Sequence, residues 1–71
     1  MKTRNLRRVN QFLQENPAFT NGQVRWLIFN SANNGLDEAG AIVRMPRRVF
    51  IDIDRFFGWL DRQQEHLHEH V

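Results

Sequence analysis

Along this chain the spacing of apolar positions changes twice, from a helical period to a strand period and back again. Leu6, Val9, Phe12 and Leu13 fall three and four apart, which gathers four apolar groups on one helical face. Pro17 disfavours the α conformation in the residue before it and has no amide to donate, so this first helix is expected to end near Asn16. After the short connection Pro17-Ala18-Phe19, either Thr20 or Asn21 can offer a side-chain oxygen to the free amides of a second helix. Val24, Leu27 and Ile28, with Phe29 beside them, form its apolar side and leave Asn21, Gln23, Arg25 and Asn30 for the other. Asn33-Asn34-Gly35 stops it, because Asn and Gly accept the left-handed turn that closes a helix.

Past a loop over 36–40 the pattern shortens. Ala41 to Met45 and Val49 to Ile51 are β-rich runs separated by Pro46-Arg47-Arg48, a spacing that predicts a hairpin. Asp52 then caps a last helix in which Ile53, Phe56, Phe57 and Leu60 recur at helical spacing. Asp52 and Asp54 also suit the positive end of that helix dipole. Beyond Gln63 the residues are polar, and the end of the chain is expected to fray.

The expected fold is therefore mostly α with a small β-hairpin, in the order helix, helix, hairpin, helix. That is the plan of a winged helix-turn-helix, whose second helix enters the major groove while the hairpin reaches the neighbouring backbone or minor groove. Residues 1–7 read as a basic arm, 8–63 as the folded domain and 64–71 as a polar tail.

Composition sharpens this picture. At 71 residues there is room for one domain, and six Phe and two Trp must supply much of its core. Cys is absent, so the fold relies on neither disulfides nor thiolate metal sites. The opening residues lack the apolar segment of a secretory signal, and no apolar run approaches the ~20 residues of a membrane span, which makes a soluble cytoplasmic protein the expectation. Charge is divided along the chain. Residues 1–51 hold eight basic against three acidic groups, a net of +5, and residues 52–71 hold two against five, a net of −3. Nine of the ten basic residues are Arg, the side chain suited to bidentate contact with phosphate and guanine.

At particular residues the chain resembles the excisionase and AlpA-like prophage regulators, a small winged-helix group related to MerR DNA-binding domains. Thr20-Asn21-Gly22-Gln23-Val24-Arg25-Trp26-Leu27-Ile28 looks like that family's turn and recognition helix, where a Ser-Arg-Ser-Thr-Val-Tyr-Arg-Leu-Ile type of string is typical. Gly35-Leu36 stands where the family leaves that helix through Gly-x-Leu. Ile42 to Ile51, followed by Phe56-Phe57-Gly58-Trp59-Leu60, looks like its Val-Arg-Ile-Gly-Arg-Arg wing and closing helix. The likeness runs over roughly residues 8–61, and the wing with its closing helix is its more specific part. Two departures stand out: Met45-Pro46 replaces the usual residue and Gly, and the segment 30–40 is longer and more polar than the family's connection. The resemblance implies a protein that binds double-stranded DNA, either bending attachment sites for an integrase or regulating transcription, with further copies of itself on adjacent sites.

The candidate DNA-binding residues are Thr20, Asn21, Gly22, Gln23, Arg25, Arg44, Arg47 and Arg48, with Arg4, Arg7 and Arg8 as a backbone-tracking arm. Arg47 and Arg48 sit at the expected wing tip, where phosphate contact competes with the plainer role of keeping a hairpin edge soluble. Asn21, Gln23 and Arg25 have donors that pair with base edges, although Asn21 has capping as an alternative. Trp26, Trp59 and the Phe residues are expected in the core or at its rim, since they sit inside amphipathic helical patterns. His66 and His70 have metal-like i, i+4 spacing, but two ligands without Cys make a weak site, so no metal or cofactor is expected. No Gly-rich phosphate loop and no nucleophile with a matching base is present, which argues against an enzyme. The competing reading is a protein-binding adaptor or anti-regulator of the same fold that has lost DNA binding and uses its acidic last helix.

Overall fold

The computed structural model describes residues 4–69, with the side chains of residues 4–65. The protein is mostly helical and carries a small three-stranded antiparallel sheet. In chain order the elements are β1 (Leu6–Arg8), α1 (Val9–Glu15), α2 (Asn21–Phe29), α3 (Ser31–Asn34), α4 (Leu36–Ala39), β2 (Ile42–Met45), β3 (Arg48–Asp52) and α5 (Ile53–Glu69).

The first difference from the sequence reading is at Leu6. Its spacing to Val9 and Phe12 suggests a helix, yet Leu6–Arg8 forms a strand that pairs with β3, Leu6 opposite Asp52 and Arg8 opposite Phe50. Segment 6–8 is thus an edge of the sheet and not part of a loose arm, and the sheet has one strand more than the expected hairpin. The sheet order is β1-β3-β2, and β2 pairs with β3 from Ile42 opposite Ile51 to Met45 opposite Arg48.

Local chemistry explains the helix boundaries. At the end of α1, the Asn16 amide and side-chain Nδ2 both donate to the Phe12 carbonyl, at 2.9 and 3.0 Å, and Pro17 follows. Thr20, not Asn21, caps α2. Its Oγ1 accepts from the Gln23 amide at 3.2 Å while Gln23 Oε1 accepts from the Thr20 amide at 2.9 Å, a reciprocal capping box. The expected loop over 36–40 is instead the short α4, set off from α3 by Gly35. Gly35 has φ +92°, and a Cβ there would lie 3.3 Å from Trp59 Nε1, so both conformation and space call for glycine. Asp52 caps α5 as its position suggests, accepting from the Arg55 amide at 3.2 Å. The helix continues to Glu69, past the Gln63 at which the sequence predicts fraying.

The core is a single cluster to which α1, α2, α4, β3 and α5 all contribute. Phe12, Val24, Leu36, Ala41, Ile51, Phe56 and Trp59 are buried there. Phe12 meets Phe56 edge to face with ring centroids 5.0 Å apart, and Phe19 meets Phe56 likewise at 5.7 Å. A buried Phe contributes roughly 1.5–3 kcal/mol, so this aromatic cluster fixes α1 and the α1–α2 connection against α5. Trp59 donates its indole proton to the Asn34 carbonyl at 2.8 Å, which anchors the α3–α4 corner to α5. No helix among the described residues is long and apolar enough to cross a membrane.

Candidate nucleic-acid interface

Three elements bring arginines to one side of the molecule. Arg8 ends β1, Arg47 and Arg48 lie at the tip and start of the β2–β3 hairpin, and Arg25 projects from α2. Together with Val9 and Val49 they line a groove of about 400 Å³ between the hairpin and α2. All four arginines are exposed, and among the described residues none is paired with a carboxylate. Arg25 Nε donates to Asn21 Oδ1 at 3.0 Å, one helical turn back, which orients the guanidinium without neutralising it. Four like charges around one groove repel one another, and a bound polyanion converts that repulsion into attraction.

The hairpin tip is unusual in its backbone. Met45 and Arg48 are paired, so Pro46 and Arg47 are the two turn residues, and Arg47 has φ +67°. Proline fixes the first turn position near −65°, and a positive φ at the second is the signature of a type II turn, where glycine is preferred. An arginine there carries a strain of roughly 1–2 kcal/mol.

The remaining candidates divide by what holds them. Arg44 is bound on three sides: to Asp37 Oδ1 at 3.2 Å, to the Ile28 carbonyl at 3.2 Å and to Ser31 Oγ at 3.1 Å. It ties the hairpin to the end of α2. Arg4 Nε donates to Asp52 Oδ2 at 2.8 Å and its Nη2 to the Gly40 carbonyl at 2.9 Å. Arg7 Nε donates to Glu15 Oε1 at 2.8 Å, and its Nη1 to Asn5 Oδ1 and the Leu6 carbonyl. Of the three arginines expected to form an arm, only Arg8 therefore faces the groove. Thr20 and the Gln23 oxygen are engaged in the α2 cap, which leaves the Gln23 amide group as a donor. Gly22 faces open space, since a Cβ there would meet nothing within 4 Å. His66 and His70 lie outside the residues whose side chains are described.

Sequence reasoning misplaced two aromatics. Trp59 is in the core, but Trp26 is 62% exposed and Phe29 is 87% exposed, both on the outer side of α2; Met45 on the hairpin is 56% exposed. The helical wheel holds the signal. With ~100° per residue, Trp26 and Phe29 lie about 200° and 140° round from buried Val24, while Leu27 and Ile28 flank it. A helix that is apolar on both sides hides which side is inner, and here the pattern Val24, Leu27, Ile28 decides it. Phe29 also lines a second groove of about 350 Å³, which shares Val9, Arg25 and Val49 with the arginine groove and so continues it.

Comparison of the chain with protein-family models, with curated proteins and with solved structures gives no match. The functional reading rests on the geometry.

Proposed function

We propose that this protein is a sequence-specific double-stranded DNA-binding protein of the winged helix-turn-helix kind. In this reading α2 is the recognition helix, its exposed face in the major groove, and the β2–β3 hairpin is a wing whose tip grips the adjacent backbone or minor groove. The observation that carries the proposal is the convergence of Arg8, Arg25, Arg47 and Arg48, from three separate elements, on one groove beside an exposed helix face. The strained backbone of Arg47 supports it, because a cation kept where glycine would relax the turn points to a task for the charge. Arg8, Arg47 and Arg48 hold phosphates; Arg25, with Asn21 and the Gln23 amide group, reads base edges.

The resemblance to excisionases and prophage regulators suggests two settings for this activity, attachment-site recombination with an integrase or transcriptional control, with several copies on adjacent sites. Both use the same residues. Footprinting the purified protein on DNA flanking its own gene tests the DNA-binding reading, and a protected site beside an integrase attachment sequence would favour recombination. A second reading, a protein-binding adaptor of the same architecture, draws on the exposure of Trp26 and Phe29. It predicts weak duplex binding that is insensitive to salt.

A further inference from the structure

Phe29 and Trp26 are the most exposed large apolar groups among the described residues, and they sit on the outer side of the same nine-residue helix as Arg25. Aromatic side chains left in water on a small domain forgo burial that its own core would gain from, so their position calls for an occupant. Charge identifies its chemistry. The groove that Phe29 lines runs on into the arginine groove through Val9, Arg25 and Val49. An occupant must therefore offer apolar spots a few ångströms from a row of anionic groups. The major groove of a duplex containing thymine does this: each thymine places a C5-methyl group on the groove floor, with phosphates along the rims. An interface with a second copy would have to seat the unpaired Arg25 beside Phe29, and the arginine groove that continues from it.

We propose that Trp26 and Phe29 contact thymine C5-methyl groups in the major groove, so that the protein prefers sites with thymines opposite the outer face of α2. This inference rests on the DNA-binding reading and adds to it the class of base edge that the helix selects. Gly22, on the same outer side one turn before Trp26 and without a Cβ, lets the helix backbone come close to the groove floor.

The test uses the full chain and a duplex selected by it from a randomised pool. Thymines of the selected site are then replaced by deoxyuridine, which keeps every hydrogen-bonding group and removes only the methyl. The expected result is a loss of roughly 5- to 20-fold in affinity when the thymines opposite α2 are replaced. For Phe29→Ala and Trp26→Ala the thymine and uracil duplexes should bind alike. Both side chains are largely exposed, so these variants keep the fold, and circular dichroism checks that they do. Arg48→Ala, by contrast, should lose affinity while keeping the thymine preference. Equal binding of the thymine and uracil duplexes by the unaltered protein overturns the methyl contact and leaves the DNA-binding reading standing. So does a pool that binds but enriches no thymine-bearing site. Failure of any duplex to bind at low salt overturns the DNA-binding reading, and the methyl contact with it.

Discussion

Arg44, on the first strand of the hairpin, donates to the backbone carbonyl of Ile28, near the end of α2, at 3.2 Å. With its bonds to Ser31 and Asp37, this contact sets how far the hairpin stands from the helix. Both side chains of the Arg44–Asp37 pair are about half exposed, which limits the pair itself to a small contribution. We expect Arg44→Ala to lower stability by about 1 kcal/mol through the lost hydrogen bonds. Arg48→Ala, with no such partner, should leave stability unchanged. Urea denaturation of both variants checks this, and equal midpoints would show that Arg44 is not a strut.

Asp52 joins three parts of the chain. Its Oδ1 caps α5 through the Arg55 amide, and its Oδ2 accepts from Arg4 Nε at 2.8 Å, while its side chain is 4% exposed. Losing both the cap and the charge-assisted bond should cost about 2–3 kcal/mol in Asp52→Ala. Asp52→Asn keeps an oxygen for the cap and should cost about half as much. If the two variants unfold at the same urea concentration, the capping contribution is absent.

Arg47 at φ +67° sets stability against function. Arg47→Gly removes the left-handed strain but enlarges the freedom of the unfolded chain, for a net gain of roughly 0.5–1 kcal/mol. The same change removes a groove cation, so the variant should melt higher and bind DNA more weakly. Thermal unfolding alongside a binding titration measures both. A variant that is more stable with unchanged affinity would remove Arg47 from the interface.

Arg25 and Arg48 share the groove but should act differently. On the proposed reading Arg48→Ala removes a phosphate contact, and it should weaken specific and random duplexes alike. On the same reading Arg25→Ala removes a base-edge contact, and it should cost about 1–3 kcal/mol more on the specific site than on random DNA. Gln23 is a less clean probe, because it also completes the α2 cap with Thr20. Competition titrations with both duplexes separate the cases, and the assignment fails if the two variants show one pattern.

Much of the fold is legible in the sequence wherever one element decides its own form. Pro17 ends α1, Asp52 caps α5, and the β-rich runs about Pro46-Arg47 form the hairpin, all from local chemistry. What escapes is whatever depends on a distant partner. Leu6 fits a helical face by spacing, but its strand exists because Asp52 lies opposite it. Likewise Arg4, Arg7 and Arg44 look like free basic groups, and only the fold brings them Asp52, Glu15 and Asp37. Of the candidate arginines, the sequence could name Arg8, Arg25, Arg47 and Arg48, but not separate them from the three that hold the structure together. Trp26 and Phe29 lie opposite Val24 on the wheel, among the polar residues of α2, but a large aromatic inside a helical pattern reads as core until the fold shows which side is inner.

The salt dependence of duplex binding counts the phosphates that the arginine groove neutralises. The three groove arginines assigned to phosphates, Arg8, Arg47 and Arg48, predict that log K falls against log salt with a slope of about −3, measured by fluorescence anisotropy of a labelled duplex. In the Arg47→Ala, Arg48→Ala double variant, which keeps only Arg8 on a phosphate, the slope should drop to about −1. A slope near zero for the unaltered protein, or the same slope in both proteins, would contradict the account.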